Sequence, residues 1–571
     1  MADVAQEQPA GRKLFVRQSS GLVREVSVRN ALFFNTAAFV GTGVGWYPVF
    51  YALPFIAVGI TGPFSTYGWA AIVVGIACVF LALIFASLSS VMPRSGGDYV
   101  FTSRFIPKAG PFIAWIESFT LVFSSLAIIA FEVPIVLRNL QISGRIIGIG
   151  VGGSFFKNAN NWFTSGGLIE NWPGFLSMLV VLALIFWLVI QPTKRFHRIV
   201  TGLAMLALAS AVLMFLFGMA FINQSNFTHN LRANFGVTQA SLIHSANSNG
   251  LLRNGVDWHI PSFALMWAVL LFQYIGFQYS AYIAGEVRGN VKRGVLWAVL
   301  GALGIAVVMN SVYVDFLAKK LVFAGQVGWG GLFWLGDSHL PLGQPNSLPL
   351  MGAVAKPGLW PIWLIVSLGG TLFPFLLCPV YLIFISRVSL AWSMDRQVPE
   401  WFGEVNERLR APLNAILAAL AFSILLAAFQ NFPLLPKGLT VAGDGRLSLV
   451  STVWFGILMG ALTWIMPGFN ALLSPFTRKD LVKSAPWRAW LPVFGVLWLI
   501  FALATYWWAG LKPLLDTLGT QTSKLTYLNQ QGVSFAIGVV IVAIIIYIIQ
   551  TLRNRAAGVD LAMLYHEIPP D

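Results

Sequence analysis

Residues 31–48 read Ala31-Leu32-Phe33-Phe34-Asn35-Thr36-Ala37-Ala38-Phe39-Val40-Gly41-Thr42-Gly43-Val44-Gly45-Trp46-Tyr47-Pro48, an apolar run broken in its middle by three alternating glycines and followed by a proline. Glycine loosens a helix and proline removes a backbone donor, so Gly41–Gly45 reads as a candidate unwound segment. Irregular backbone at membrane depth persists only where it is buried in protein or lines a cavity. The freed N–H and C=O groups, reinforced by half-helix dipoles, suit the carboxylate and ammonium of a zwitterion. The competing explanation is glycine for close helix packing. A second stretch, Phe272-Gln273-Tyr274-Ile275-Gly276-Phe277-Gln278-Tyr279-Ser280-Ala281, sets two glutamines, two tyrosines, a glycine and a serine inside another apolar run. Such polar groups are costly in a membrane unless satisfied.

Composition fixes the solvent around these stretches. Of 571 residues, 57% are hydrophobic and only 10% charged, and the mean hydropathy is +0.75. Soluble domains carry about 25% charged residues. The chain is therefore expected to be an all-α polytopic membrane protein with the lipid bilayer as a partner. The net charge of +15 would suggest nucleic acid for a soluble protein. Here the lysines and arginines read as loop charges, and no nucleic-acid partner is expected. Cys78 and Cys378 lie inside apolar runs and read as small buried hydrophobes. No metal-ligand spacing occurs, so neither a metal nor a cofactor is expected. HExxH, GxSxG and P-loop patterns are missing, and the six histidines fall mostly in loops or the C-terminal tail, which argues against an enzyme.

A helix needs about 20 apolar residues to cross the hydrocarbon. Twelve runs qualify, near 31–60, 68–92, 111–137, 173–191, 199–222, 262–285, 295–318, 358–385, 412–430, 448–466, 489–510 and 532–552. The two irregular stretches fall in runs one and six, the offset of a five-plus-five inverted repeat. The expected organisation is a cytoplasmic tail at 1–30, a ten-helix core at 31–466, helices eleven and twelve within 467–552, and a cytoplasmic tail at 553–571. With the N-terminus inside, 24 of the 36 lysines and arginines fall on the cytoplasmic side, so both termini are expected there, in a multi-pass protein of the plasma membrane. The loops at 138–172, 223–261 and 319–357 are expected outside.

Four segments together resemble the amino acid–polyamine–organocation (APC) superfamily of permeases. They are Gly41-Thr42-Gly43-Val44-Gly45; Ser87 through Pro93-Arg94-Ser95-Gly96-Gly97-Asp98-Tyr99-Val100; Phe272 through Glu286-Val287-Arg288; and Ser386-Arg387, Met394-Asp395-Arg396, Pro399, Phe402 and Pro412. The resemblance implies a 5+5 inverted-repeat core with broken helices 1 and 6, and a substrate site between them with contributions from helices three, eight and ten. It implies that Thr42, Gly43 and Val44, with Gly45 beside them, meet a substrate carboxylate, and that Ile275, Gly276 and Phe277 offer carbonyls to an amine. Gln273 and Gln278 are further substrate-binding candidates.

Arg94, Gly96, Gly97 and Asp98 read as a structural or gating turn, two glycines beside charges suiting a tight reversal. Glu286, Arg387, Asp395 and Arg396 are expected to form a charge network closing an inner gate, against the alternative of snorkelling charges. Glu117 and Glu132, carboxylates inside the third run, are the candidate coupling residues. Asn35, Asn310 and Ser367 are expected to hydrogen-bond between helices. Many members of the superfamily carry a helix-five lysine tied to coupling; here Ala207 stands near that place, and Gln278 replaces a common glutamate of helix six. Whether a proton or a sodium ion is coupled therefore stays open. The expected function is a secondary active transporter, symporter or exchanger, moving a small-molecule substrate, an amino acid, by alternating access. The alternatives are a polyamine, nucleobase or other organic-cation permease, or a non-transporting sensor of the same fold. Phe39, Trp267, Phe272, Phe277, Trp454 and Phe455 are expected to wall an apolar cavity.

Overall fold

The computed structural model describes residues 24–39, 60–164, 169, 171–248, 260–320, 347–406, 409, 411–437, 444–447, 452, 455–456, 458–508, 512, 524–559 and 561–566. The chain is mostly helical. The long helices are α1 (Val28–Ala38), α2 (Thr66–Val91), α4 (Gly110–Gly150), α5 (Asn171–Val189), α6 (Thr193–Phe221), α7 (Ile260–Tyr274), α8 (Val291–Val308), α9 (Trp360–Met394), α10 (Leu413–Asn431), α11 (Ala461–Thr477), α12 (Leu491–Tyr506) and α13 (Lys524–Ala556), with the short α3 (Asp98–Phe105) between α2 and α4. Two antiparallel two-stranded ribbons complete the described residues, Ile60–Thr61 with Phe64–Ser65 and Val405–Asn406 with Ala411–Pro412. Eight helical segments among the described residues are long and apolar enough to cross a membrane.

Burial ranks these helices. The most apolar window of α4 is 94% inside the protein and that of α9 is 78%, whereas that of α13 is only 6%. So α4 and α9 pack along one another at the centre, and α13 lies against the outside of α4, where Trp115 donates its indole N–H to the Ala543 carbonyl at 2.8 Å. Helix starts use side-chain caps: Ser27, Ser65 and Asn290 accept from the N–H groups of Asn30, Gly68 and Arg293.

Two helices overrun their expected ends. α4 continues through residues 138–150, read in the sequence as external loop. At 41 residues and 1.5 Å per residue it is about 60 Å long, roughly twice the hydrocarbon thickness. The continuation is amphipathic: Ile142 and Ile146 are buried, Gln141 donates to the carbonyls of Asn160 and Trp162, and Ser143 bonds Ser367 of α9 at 2.9 Å. Likewise α9 runs on to Met394 rather than stopping near 385, carrying Arg387 through the protein interior. The loops read as external hold short helices at Ser154–Lys157, Gln224–Phe235, Gln239–Ser248 and Leu348–Ala355. After α8 the backbone takes a π-helical course over Met309–Val314, a feature frequent at functional sites.

Candidate substrate site and its charged surround

The α-helical bonding of α7 ends at Tyr274. Beyond it the N–H groups of Phe277 and Tyr279 bond the carbonyls three residues back, Tyr274 and Gly276, at 3.1 and 3.0 Å, and two short 3-10 turns follow at Tyr279–Ala281 and Ala284–Glu286. The turn depends on Gly276, whose φ of +103° strains any L side chain. A Cβ there would also lie 2.6 Å from the backbone of Ala38, so the turn sits directly on the last residue of α1. Three residues earlier on α1, Asn35 grips the same segment: its Oδ1 accepts from the Ser280 N–H at 2.6 Å and its Nδ2 donates to Ser280 Oγ at 3.0 Å. A backbone bridge between Val26 and Val287 extends the contact.

This junction is fully buried and incompletely satisfied. Among the described residues, no backbone N–H pairs with the carbonyls of Ile275 or Phe277. Gln278 Oε1 accepts from the Gly276 N–H at 3.2 Å, while its Nε2 has no partner among the described residues. Gln273 accepts from the Tyr67 hydroxyl at 2.9 Å, that hydroxyl lies 2.6 Å from Asn310 Oδ1, and Gln273 Nε2 is unpartnered among the described residues. Elements from across the chain close around the turn. Phe277 stacks on Trp464 of α11, Tyr279 stacks on Phe384 of α9 at 4.5 Å, and Ser124 of α4 bonds the Gly456 carbonyl close to the Phe272 ring. Thr42, Gly43, Val44 and Gly45 lie outside the described residues, as does Trp454. Of the expected cavity walls, Trp267 packs on Phe501 of α12, and Phe455 on Phe535 of α13.

The segment after α7 leads into the buried charges. Glu286 takes both arms of Arg387, at 2.6 and 3.0 Å, with each residue 1% exposed. The rest of the expected network divides differently. Asp395 pairs with Arg104 of α3 at 2.6 and 2.7 Å, a partner that the sequence reading passed over. Arg396 lies at the edge, 3.9 Å from the exposed Glu400. The Arg94–Asp98 turn is zipped to the same segment: Ser95 bridges Ile283, the Gly96 N–H bonds the Tyr282 carbonyl, and the Tyr282 hydroxyl donates to Asp98. Glu117 accepts from Thr102 at 2.6 Å, and Glu132 is buried on α4 near Cys378 and Tyr381 of α9. His197, placed by the sequence among the loops, is buried at the start of α6 beside Phe34 and Phe196. Asn310 and Ser367 bond across helices as expected, to Tyr67 and Ser143. Arg104 was legible only as a basic residue in a short polar helix; 291 positions separate it from Asp395.

An apolar helical bundle with a buried irregular polar turn at its centre is a polytopic membrane protein with a polar interior. The sequence profile described as "Amino acid permease" matches residues 32–528, and the chain belongs to that family. Its relatives include the branched-chain amino acid permease BcaP of Lactococcus lactis subsp. cremoris (strain MG1363), 23% identical over 90% of this chain and 94% of that protein. The aspartate-proton symporter of Bacillus subtilis (strain 168) is 21% identical over 81% of this chain and 75% of its own. The methylthioribose transporter of the same strain is 22% identical, covering 88% and 95%.

Proposed function

We propose that the chain is a secondary active transporter that moves amino acids across the plasma membrane by alternating access, with substrate held where α1 ends against the Ile275–Gln278 turn. The observation that carries this reading is the turn itself: a helix that stops inside the buried core, seated on Ala38 and gripped by Asn35, with carbonyls and amide donors left over. Backbone N–H groups of Thr42, Gly43, Val44 and Gly45 receive the substrate carboxylate, and the carbonyls of Ile275 and Phe277 receive its ammonium. Gln273 and Gln278 supply the unpartnered Nε2 donors. In this reading α1 and α7 are equivalent broken helices of a five-plus-five repeat. Asn171–Val189 and the helices around it form the scaffold, and α12 and α13 are additions.

The Glu286–Arg387 and Arg104–Asp395 pairs then lie at the cytoplasmic end and hold the inner gate shut. Opening that end has to separate or carry these pairs, because an isolated buried charge is far more costly than a paired one. One relative is named for methylthioribose, which favours a second reading in which the cargo is another small polar solute at the same turn. Purified protein in liposomes, offered a panel of labelled amino acids, tests both readings. Wild-type protein takes up at least one of them saturably, and Gly276→Leu, which drives a side chain into Ala38, abolishes uptake. Equal uptake by both proteins removes the site from this turn.

A further inference from the structure

A cavity of about 500 Å³ lies where the α3–α4 junction, the C-terminal ends of α11 and α13, and the short helix Leu561–His566 meet. Its walls are tied together. Thr477 of α11 donates to the Phe105 carbonyl at 2.7 Å, and Phe112 of α4 packs edge-on to Tyr547 of α13 at 5.2 Å. Asn554 of α13 donates to the Arg396 carbonyl at 3.0 Å. Gln397 donates to the Tyr565 hydroxyl, and the Arg104 guanidinium lies over the Tyr565 ring at 5.4 Å.

The lining is basic. Lys108, Arg478, Arg555 and His566 border the cavity with Arg104 at one wall, and among the described residues no carboxylate does. Arg104 is held by Asp395, and Arg478 shares the exposed Asp480 at 2.9 Å. Lys108 and Arg555 have no carboxylate within salt-bridge distance among the described residues. Like charges gathered at one cavity repel one another, and an anion between them removes that cost. The surroundings select the source of the anion. Of the eight segments able to span a membrane, the one in α13 is the least buried, with 6% of its most apolar window inside the protein. Ile548 and Leu552, next in the chain to the lining Tyr547 and Thr551, are exposed, as are Phe112 and Phe476 beside the lining Pro111 and Thr477. A small soluble anion gains nothing from these side chains, whereas an acyl chain attached to the anion does.

We propose that this cavity binds the phosphate headgroup of an anionic phospholipid, with the acyl chains lying along the exposed apolar side chains of α13. Arg555 offers the phosphate a planar pair of donors and Lys108 a point charge. Basic pockets between spanning helices at the cytoplasmic side suit such headgroups. The topology proposed above puts the site in the cytoplasmic leaflet; the binding itself rests on the cavity and is independent of the cargo. Lys108 stands on a left-handed turn, φ +56°, in which the Ala109 N–H bonds the Pro107 carbonyl. Asparagine tolerates that backbone well, so the charge can be removed there without straining the turn.

Native mass spectrometry of the full chain in detergent, titrated with dioleoyl phosphatidylglycerol or dioleoyl phosphatidylcholine, tests this. Wild-type protein retains phosphatidylglycerol at least about tenfold more tightly than phosphatidylcholine. Lys108→Asn with Arg555→Gln weakens phosphatidylglycerol binding about tenfold and leaves phosphatidylcholine unchanged. Lys194→Asn with Arg195→Gln removes two exposed charges at the start of α6, on the same proposed side, and leaves phosphatidylglycerol within about twofold of wild type. Undiminished binding in the first double variant overturns the proposal, and so does an equal loss in both, which would mark a general attraction to basic surface. Glycerol 3-phosphate in about tenfold excess leaves the lipid bound, because it lacks the acyl chains; complete displacement would assign the cavity to a soluble phosphate and overturn the lipid. If the first double variant fails to fold, the wild-type comparison decides: equal retention of the two lipids overturns the proposal and selective retention supports it. Transport enters none of these readouts, so the lipid site and the transport reading fail separately.

Discussion

Arg387 is a guanidinium carried through the interior of a long apolar helix, tolerable only because Glu286 meets it with two hydrogen bonds. Removing one partner leaves an uncompensated buried charge, a loss of about 3–5 kcal/mol. Glu286→Ala or Arg387→Ala should therefore lower the melting temperature in detergent sharply, and the double replacement Glu286→Gln with Arg387→Met should recover most of it; a double variant no better than the singles would remove the pair from the stability account. Asp98 makes a pH prediction. Its folded carboxyl titrates near 7 because it is desolvated, above its unfolded value near 3.8. The native state therefore binds the extra proton, so this contribution to stability is complete below about pH 4 and is lost as pH rises through 7. Melting temperature should fall over that window in wild type, and the fall should be smaller in Asp98→Asn. At this scale the sequence was partly legible. It marked Glu286, Arg387, Asp395 and Arg396 as an expected charge network. It left Arg104 unmarked, because the pairing of residues hundreds of positions apart is decided by helix packing and leaves no local pattern.

Helices were read from twelve apolar runs; among the described residues eight helical segments are long and apolar enough to span, and the runs were poor guides to length. Charge was taken as the end of a span, so α4 was cut at Arg138 and α9 ahead of Arg387; both continue because neighbouring elements satisfy their polar groups. The irregular stretch after Tyr274 was legible because glutamine, glycine and serine in an apolar run have few other uses. Its geometry was not, since Asn35 gripping Ser280 is a contact between distant elements. Asn35→Ala leaves the Ser280 N–H and hydroxyl without that partner in the core. It should cost about 1–3 kcal/mol and be visible as a lower melting temperature. Equal melting of the alanine variant and wild type would show that the grip contributes nothing.

The orientation proposed for the whole molecule rests on the distribution of basic residues, a rule of insertion and not of folding. On the reading proposed here, Lys157, beyond the C-terminal end of α4, faces the outside, and Lys479, beyond α11, faces the cytoplasm; both are exposed. The native cysteines Cys78 and Cys378 are buried and give a quiet background for labelling. Lys157→Cys should react with a membrane-impermeant maleimide in intact cells and Lys479→Cys only after permeabilisation; the reverse pattern inverts the topology. The most direct test of the central claim is counterflow by the purified wild-type protein in liposomes, read with labelled neutral, acidic and basic amino acids and with methylthioribose as the competing solute. The account predicts saturable counterflow of at least one amino acid and its loss in Gly276→Leu. Counterflow of methylthioribose alone, or of none of these solutes, would contradict it.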